Sequence, residues 1–339
     1  MVPQTTLKDI AFILKLSIST VSKALNNSDE ISAETREKVT KLAQSLNYVP
    51  NETGRSLKLN KTFRIGIIIP NLIDDFFAKV LQGVELAARK YDYKVIICLT
   101  DDTHIKEVES VSFLMNGAVD GLLISLSKET QNLKNFLHLE NIVNRNFPLV
   151  MFDRITEDIP CDKIIINDFE AGFEAANFLA ETNCKNIAFL TPISETSVSE
   201  LRKEGYMAAL ENKNLKHPII IEIPSYEHFE SILEKVLGTQ KIDAIIASDQ
   251  FSAFCTINFI QKIGLKVPED ICVIGFADGL LPKFMSPSLT TVHQKEEEMG
   301  ELALKTIIAR IESKNKTPFT RKVIKSELIK RQSTKAVLD

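Results

Sequence analysis

The sequence predicts an all-α head joined by a linker to an α/β body of two parallel-sheet lobes. Three observations carry that prediction. Over residues 6–46 apolar residues recur at helical spacing behind side chains suited to capping. Beyond residue 62 short apolar runs bounded by turn signals alternate with helical stretches. The 339 residues leave enough chain for two such sheets after a small head.

In the head, Thr6-Leu7-Lys8-Asp9 is a capping-box pattern, and Leu7, Ile10, Ala11 and Leu14 follow at one-face spacing, so a first helix runs over about residues 7–14. Ser17 can cap a second, which turns Val21 and Leu25 inward and Ser19, Thr20, Ser22, Lys23 and Asn26 outward. Ser32 can cap a third, whose Val39, Leu42, Ala43 and Leu46 complete a miniature core before Asn47-Tyr48-Val49-Pro50 stops it. A short helix, a second with a polar, basic face and a tethered third make a helix-turn-helix, the arrangement that enters a DNA major groove. Charge agrees: residues 1–62 carry nine Lys and Arg against six acids, while the whole chain is −4, leaving the body at −7.

The body's strand candidates are Ile65 to Ile69, Lys94 to Leu99, Gly121 to Ser125, Leu149 to Phe152, Ile164 to Ile166, Asn186 to Leu190, Ile219 to Ile223, Ala244 to Ala247 and Ile271 to Gly275. Between them lie helical stretches such as Phe77 to Tyr91, Ala171 to Thr182, Glu200 to Asn212 and Ser252 to Ile263. Alternation of this kind builds parallel sheets with helices on both faces.

Other classes find little support. Met1-Val2-Pro3-Gln4-Thr5 lacks a basic and then apolar leader, and the run Ile65 to Ile69 is too short to span a bilayer, so a cytoplasmic protein without membrane contact is expected. Five scattered cysteines (Cys98, Cys161, Cys184, Cys255, Cys272) suggest neither a disulfide framework nor a thiolate metal site. Five histidines show no metal spacing, and no nucleophile elbow, phosphate loop or dinucleotide turn is present. Neither an enzyme nor a cofactor is expected, and no carboxylate pair stands out for glycoside hydrolysis.

Thr20-Val21-Ser22-Lys23-Ala24-Leu25-Asn26, Ile31-Ser32-Ala33-Glu34-Thr35-Arg36 and Leu46-Asn47-Tyr48-Val49-Pro50-Asn51 closely resemble the head of LacI/GalR-family transcriptional regulators. The likeness continues in collinear order through Ile65 to Pro70, Phe76-Phe77, Arg202-Lys203-Glu204-Gly205-Tyr206, Val273-Ile274-Gly275-Phe276 and Pro287 to Val292, to Leu328 through Thr334. For the head, the resemblance implies that Ile18, Ser19 and Lys23 read bases, while Ser17, Thr20, Ser22 and Asn26 hold backbone phosphates. Thr6, Asn51 and Arg55 join them as candidate DNA contacts. Lys23 stands where arginine is common, and it offers a point donor in place of a fork. Residues 51–62 resemble the family's hinge, which folds into a helix only on DNA, where Leu57 would wedge into the minor groove. Gly54 replaces the usual alanine there, at about 1 kcal/mol of helix stability.

For the body, the resemblance implies the periplasmic-binding-protein fold with three crossovers. The expected division is 1–50 for the head, 51–62 for the hinge and 63–339 for the two-lobed domain. The first lobe is placed at about 63–163 and 293–323, the second at about 164–292 and 324–339. Ligands of open parallel sheets sit at the strands' carboxyl ends. That rule, with the family's positions, selects Asp74, Phe76, Phe77, Asp101, Arg154, Arg202, Asp249, Phe251 and Asp278, a set of carboxylates, guanidinium forks and aromatic faces suited to a sugar-like effector. Gly275-Phe276-Ala277-Asp278 lacks one of two acids common in the family. The function implied is a homodimeric regulator, a repressor on family grounds, bound to a pseudo-palindromic operator and switched by a small molecule. Without leucine heptads nothing points to a tetramer. The alternatives are a secreted solute-binding protein, disfavoured by the head, and a regulator whose cleft takes a phosphoprotein.

Overall fold

A computed structural model of the chain describes residues 5–48, 61–72, 75–215, 217–276, 278–313 and 317–336. It divides into two compact units, Met1–Lys61 and Thr62–Asp339.

The first unit holds α1 (Leu7–Leu14), α2 (Ile18–Leu25) and α3 (Ala33–Ser45). Local chemistry sets all three starts. Thr6 and Asp9 close a capping box, Ser17 accepts from the Thr20 amide at 3.0 Å and Ser32 from the Thr35 amide at 3.3 Å. Lys15 takes the left-handed conformation (φ 54°) that lets α1 turn sharply into α2. Ile10, Ala11, Val21, Ala24, Val39 and Ala43 form the buried seam. Leu25 is only half-buried, and Ala24 takes the inward place beside Val21.

The second unit runs β1 (Arg64–Ile69), α4 (Asp75–Lys90), β2 (Lys94–Leu99), α5 (His104–Met115), β3 (Gly121–Ile124), α6 (Lys128–Leu133), α7 (Leu137–Asn144), β4 (Leu149–Phe152) and β5 (Asp162–Ile166). It continues through α8 (Asp168–Glu181), β6 (Ile187–Thr191), α9 (Ser197–Asn212), β7 (Ile219–Glu222), α10 (Phe229–Thr239), β8 (Ala244–Ala247), α11 (Gln250–Lys262) and β9 (Cys272–Phe276). The rest is α12 (Leu281–Phe284), β10 (Thr290–His293), α13 (Glu296–Glu312), β11 (Arg321–Ile324) and β12 (Glu327–Ile329). One sheet has the order β11-β5-β4-β3-β1-β2 and the other β12-β10-β9-β8-β6-β7. Alternation along each strand feeds two cores: Ile65, Ile67 and Ile69 face one side of the first sheet, and Ile68 faces the other.

The lobe boundaries expected at 163/164, 292/293 and 323/324 are corrected. Ile164 to Ile166 belong to the first sheet, where Ile164 pairs with Phe152 and Ile166 with Ile324. The chain passes between sheets after Ile166, His293 and Ile324. An unbroken apolar run does not reveal at which residue its pairing ends. The second sheet is also not wholly parallel, because β12 pairs antiparallel with β10. It enters that lobe straight from a crossing, with no helix to turn the chain round.

Each lobe is locked by one helix crossing. A Cβ on Gly83 of α4 would lie 2.0 Å from the Glu297 carbonyl oxygen, and one on Gly300 of α13 2.0 Å from that of Val80. In the second lobe Gly172 of α8 meets the Arg202 carbonyl at 2.1 Å and Gly205 of α9 meets that of Phe169 at 1.9 Å. Both pairs are backbone against backbone. No helix among the described residues is long and apolar enough to cross a membrane, and all five cysteines are unpaired.

Candidate functional site

Two regions bring the predicted site residues together, one in each unit. In the head, Val21 and Ala24 bury one side of α2, leaving Ile18, Ser19, Lys23 and Asn26 exposed along the other. Ile18 is 46% exposed, unusual for an apolar side chain that has a core within reach. The Ser17 hydroxyl lies 2.8 Å from those of both Ser19 and Thr20, and the Asn26 amide donates to the Ser22 carbonyl at 2.8 Å. Lys23 is ion-paired with Glu30 in the loop after α2. Thr6 caps α1 through Asp9, whose carboxyl its backbone and hydroxyl bonds hold below the usual range. Asn51, Arg55 and Leu57 lie outside the described residues, as does Asp74.

In the second unit, the carboxyl ends of the two sheets enclose a cleft of about 300 Å³, lined by Asn71, Phe77, Asp101, Asp102 and Arg154 from the first lobe and Pro192, Ile193, Tyr226, Asp249 and Phe251 from the second. A recess of about 30 Å³ behind it reaches Phe76, Asp153, Arg202, Ser248, Phe276 and Gln294. Arg154 donates to Asp102 at 2.6 Å and sits 6.0 Å over the Phe77 ring. Asp249 caps α11, accepting from the Ser252 amide at 2.8 Å and hydroxyl at 2.7 Å, and from the Tyr226 hydroxyl at 3.3 Å. Tyr226 meets Phe251 edge to face at 4.9 Å. Asp101 stands exposed at the mouth, paired with Lys106.

Arg202 is 3% exposed and fully engaged. Its Nε donates to Asp168 at 2.7 Å, Nη1 to the Ser248 carbonyl at 2.7 Å and Nη2 to Gln294 at 2.6 Å, with the guanidinium 4.2 Å from the Phe276 ring centre. It lies in the second turn of α9 and forms the floor of the recess, not a free arm at a helix opening. Burial raises the Asp168 carboxyl to about 6, with Arg202 pulling it back and Asp153 pushing it up. Burial likewise pushes up the carboxyls of Asp153 and Asp249.

Asp278 is a correction. The structure does not bring it to the cleft: Arg331 binds its carboxylate at 2.5 Å and Thr291 at 3.1 Å, and its carbonyl accepts from Lys79 of the first lobe at 2.5 Å. That last bond ties the lobes on one flank. On the other, Gln131 and Ser197 exchange two hydrogen bonds (3.1 and 3.2 Å), and Lys128 donates to the Pro192 carbonyl at 3.1 Å.

Sequence reasoning missed Asp102, Tyr226 and Gln294. Asp102 had a signal, a second acid directly after Asp101 at a strand end. Tyr226 had none, sitting in a single 3₁₀ turn beyond an edge strand. Among the described residues no cluster of His, Cys, Asp or Glu could hold a metal ion.

Comparison with known proteins places this geometry. Residues 6–51 match the bacterial regulatory proteins of the lacI family, and residues 176–334 a periplasmic binding protein-like domain. The HTH-type transcriptional repressor PurR of Vibrio campbellii is 32% identical over 314 residues, which cover 91% of this chain and 92% of that protein. The ribose operon repressor of Haemophilus influenzae is 33% identical over 318 residues, 91% of this chain and 93% of that protein. The Lac repressor bound to ONPG in its repressed state shares the fold, with TM-score 0.84 at 21% identity over 98% of this chain and 100% of that one.

Proposed function

This chain belongs to the LacI family of bacterial regulatory proteins, and on that premise we propose a repressor that grips a pseudo-palindromic operator as a homodimer and is governed by a sugar or sugar derivative seated between its lobes. Membership itself makes it a transcriptional repressor with a DNA-binding head and an effector-binding domain. The finer reading rests on the cleft.

The observation that carries it is the pairing of aromatic faces with hydroxyl partners: Phe77, Tyr226 and Phe251 alongside Asp102, Arg154 and Asp249. Carboxylates accept from sugar hydroxyls, a guanidinium donates to ring and hydroxyl oxygens, and flat rings cover a pyranose face. Three carboxylates against one guanidinium also disfavour a phosphorylated guest. The ribose operon repressor among its relatives supports the same class.

On the DNA side, Ile18, Ser19 and Lys23 read bases while Thr6, Ser17, Thr20, Ser22, Asn26, Asn51 and Arg55 hold the backbone, and Leu57 wedges into the minor groove. Effector binding changes the angle between the lobes and with it the spacing of the paired hinges. Reciprocity then requires operator DNA to change effector affinity by the same factor.

The test is a thermal-shift screen of the full chain against neutral sugars, sugar phosphates and nucleobases, followed by fluorescence anisotropy on a duplex recovered by binding selection. A neutral sugar should raise the melting temperature and change operator affinity. Stabilisation by nucleobases or sugar phosphates alone would overturn the effector class, and failure to select any duplex would overturn the operator reading.

A further inference from the structure

We propose that Glu30 is a specificity-determining residue for DNA, orienting Lys23 toward the bases and withholding it from the phosphates. The proposal rests on the reading of α2 as the DNA-reading helix. Lys23 projects from the exposed side of α2 and its ammonium is held by the Glu30 carboxylate. Glu30 is not on a free loop. The Ser28 amide donates to the Lys23 carbonyl at 3.0 Å and the Ile31 amide to the Ser28 carbonyl at 3.2 Å. Arg36 from α3 reaches the carbonyls of both Ser28 and Ile31, at 3.0 and 3.3 Å, pinning the chain on either side of Glu30.

Two consequences follow from chemistry alone. A lysine carries its charge on a flexible four-carbon stem, whereas an arginine fork brings its own geometry. A carboxylate carried on a pinned stretch of backbone narrows the directions open to the ammonium while leaving at least one of its three N–H donors for a base acceptor. The same carboxylate repels phosphates. A duplex offering only backbone must compete with Glu30 for Lys23, whereas one offering guanine N7 and O6 at the right step can share it. Specificity is a difference of affinities, so a group that weakens the wrong complex more than the right one raises it.

The experiment compares wild type, Glu30→Gln, Lys23→Ala and the double variant, each as full chain, on the selected duplex and on random duplex across a KCl series. Glu30 is exposed, and circular dichroism of each variant checks the fold. Glu30→Gln should bind random duplex several-fold more tightly, with a salt slope steeper by about 0.9, one added phosphate contact. It should also broaden base preference at the half-site position that Lys23 reads. In the Lys23→Ala background the same substitution should leave base preference unchanged and add less to the slope. A wild-type specificity ratio and slope in Glu30→Gln, or an equal gain in both backgrounds, overturns the proposal. Wild type that selects no duplex overturns the reading beneath it instead.

Discussion

Arg202 Nη2 and Gln294 Oε1 lie 2.6 Å apart, and their bond joins α9 to the second of the chain's passages between lobes. Through Nε the same guanidinium holds Asp168, which follows the first passage. One buried arginine therefore ties the floor of the cleft to two of the three segments that must bend if the lobes reorient.

Arg202→Ala should cost about 3–5 kcal/mol, because it strands a buried carboxylate without its cation. Gln294→Ala removes one charge-assisted bond and should cost about 1.5–3 kcal/mol. Urea unfolding checks the order. Equal costs would mean that Asp168 does not depend on Arg202. Both variants should also blunt the effector's action on operator binding.

Asp168 sets a pH dependence whose sign follows from its carboxyl lying near 6 in the folded chain against about 3.9 unfolded. Between those values the native state binds more protons, so this residue's contribution to stability falls as pH rises from about 4 to 6. Asp168→Asn removes the titration. The stability difference, wild type minus variant, should therefore decrease across that window in urea melts, and a flat difference refutes the assignment.

His293 has a pH slope of the same sign in a higher window. Its hydrogen bond to Glu296 raises its pKa, so its stabilising contribution is full below about 6.5, the unfolded value, and is lost as pH rises through the folded one. His293→Gln should abolish that component in the same melts.

In the cleft, Tyr226→Phe should weaken effector binding several-fold with little change in stability, since the hydroxyl's bonds to Asp249 and Ser252 are long, at 3.3 and 3.2 Å. Isothermal titration with the sugar found in the screen measures it. Unchanged affinity would take Tyr226 out of the binding wall.

Gly205→Ala tests the packing of α8 on α9. With the Phe169 carbonyl 1.9 Å from the new methyl, the helices must separate, at about 1–3 kcal/mol or more. A melting temperature equal to wild type would show that the crossing yields easily.

Much of this was legible in the chain. Each helix start in the head was written in Thr6, Ser17 and Ser32, because a cap is a local device, and Ile65 to Ile69 could only be a strand buried on both faces. The late strands were not. Thr290–His293 has one apolar residue of four, Arg321–Ile324 is a charged edge and Glu327–Ile329 is three residues long, so pairing partners and not composition make them strands. The cleft showed the same divide. Arg154 and Asp249 follow strand ends and were readable, whereas Asp278 follows β9 equally closely and is drawn off by Arg331, which lies 53 residues away in sequence. Whether a carboxylate faces a cavity or a cation is decided by tertiary neighbours.

The reciprocal glycine crossings leave neither lobe any slack. Helices seated backbone on backbone do not slide, so compliance collects in Asn167, Gln294, Lys295, Lys325 and Ser326, the five residues between paired elements at the passages. Even these are cross-braced, Asn167 accepting from the Ser326 amide at 2.7 Å. A molecule settling in the cleft thus works against a torsion spring a few bonds long, with two stiff blocks as its lever arms.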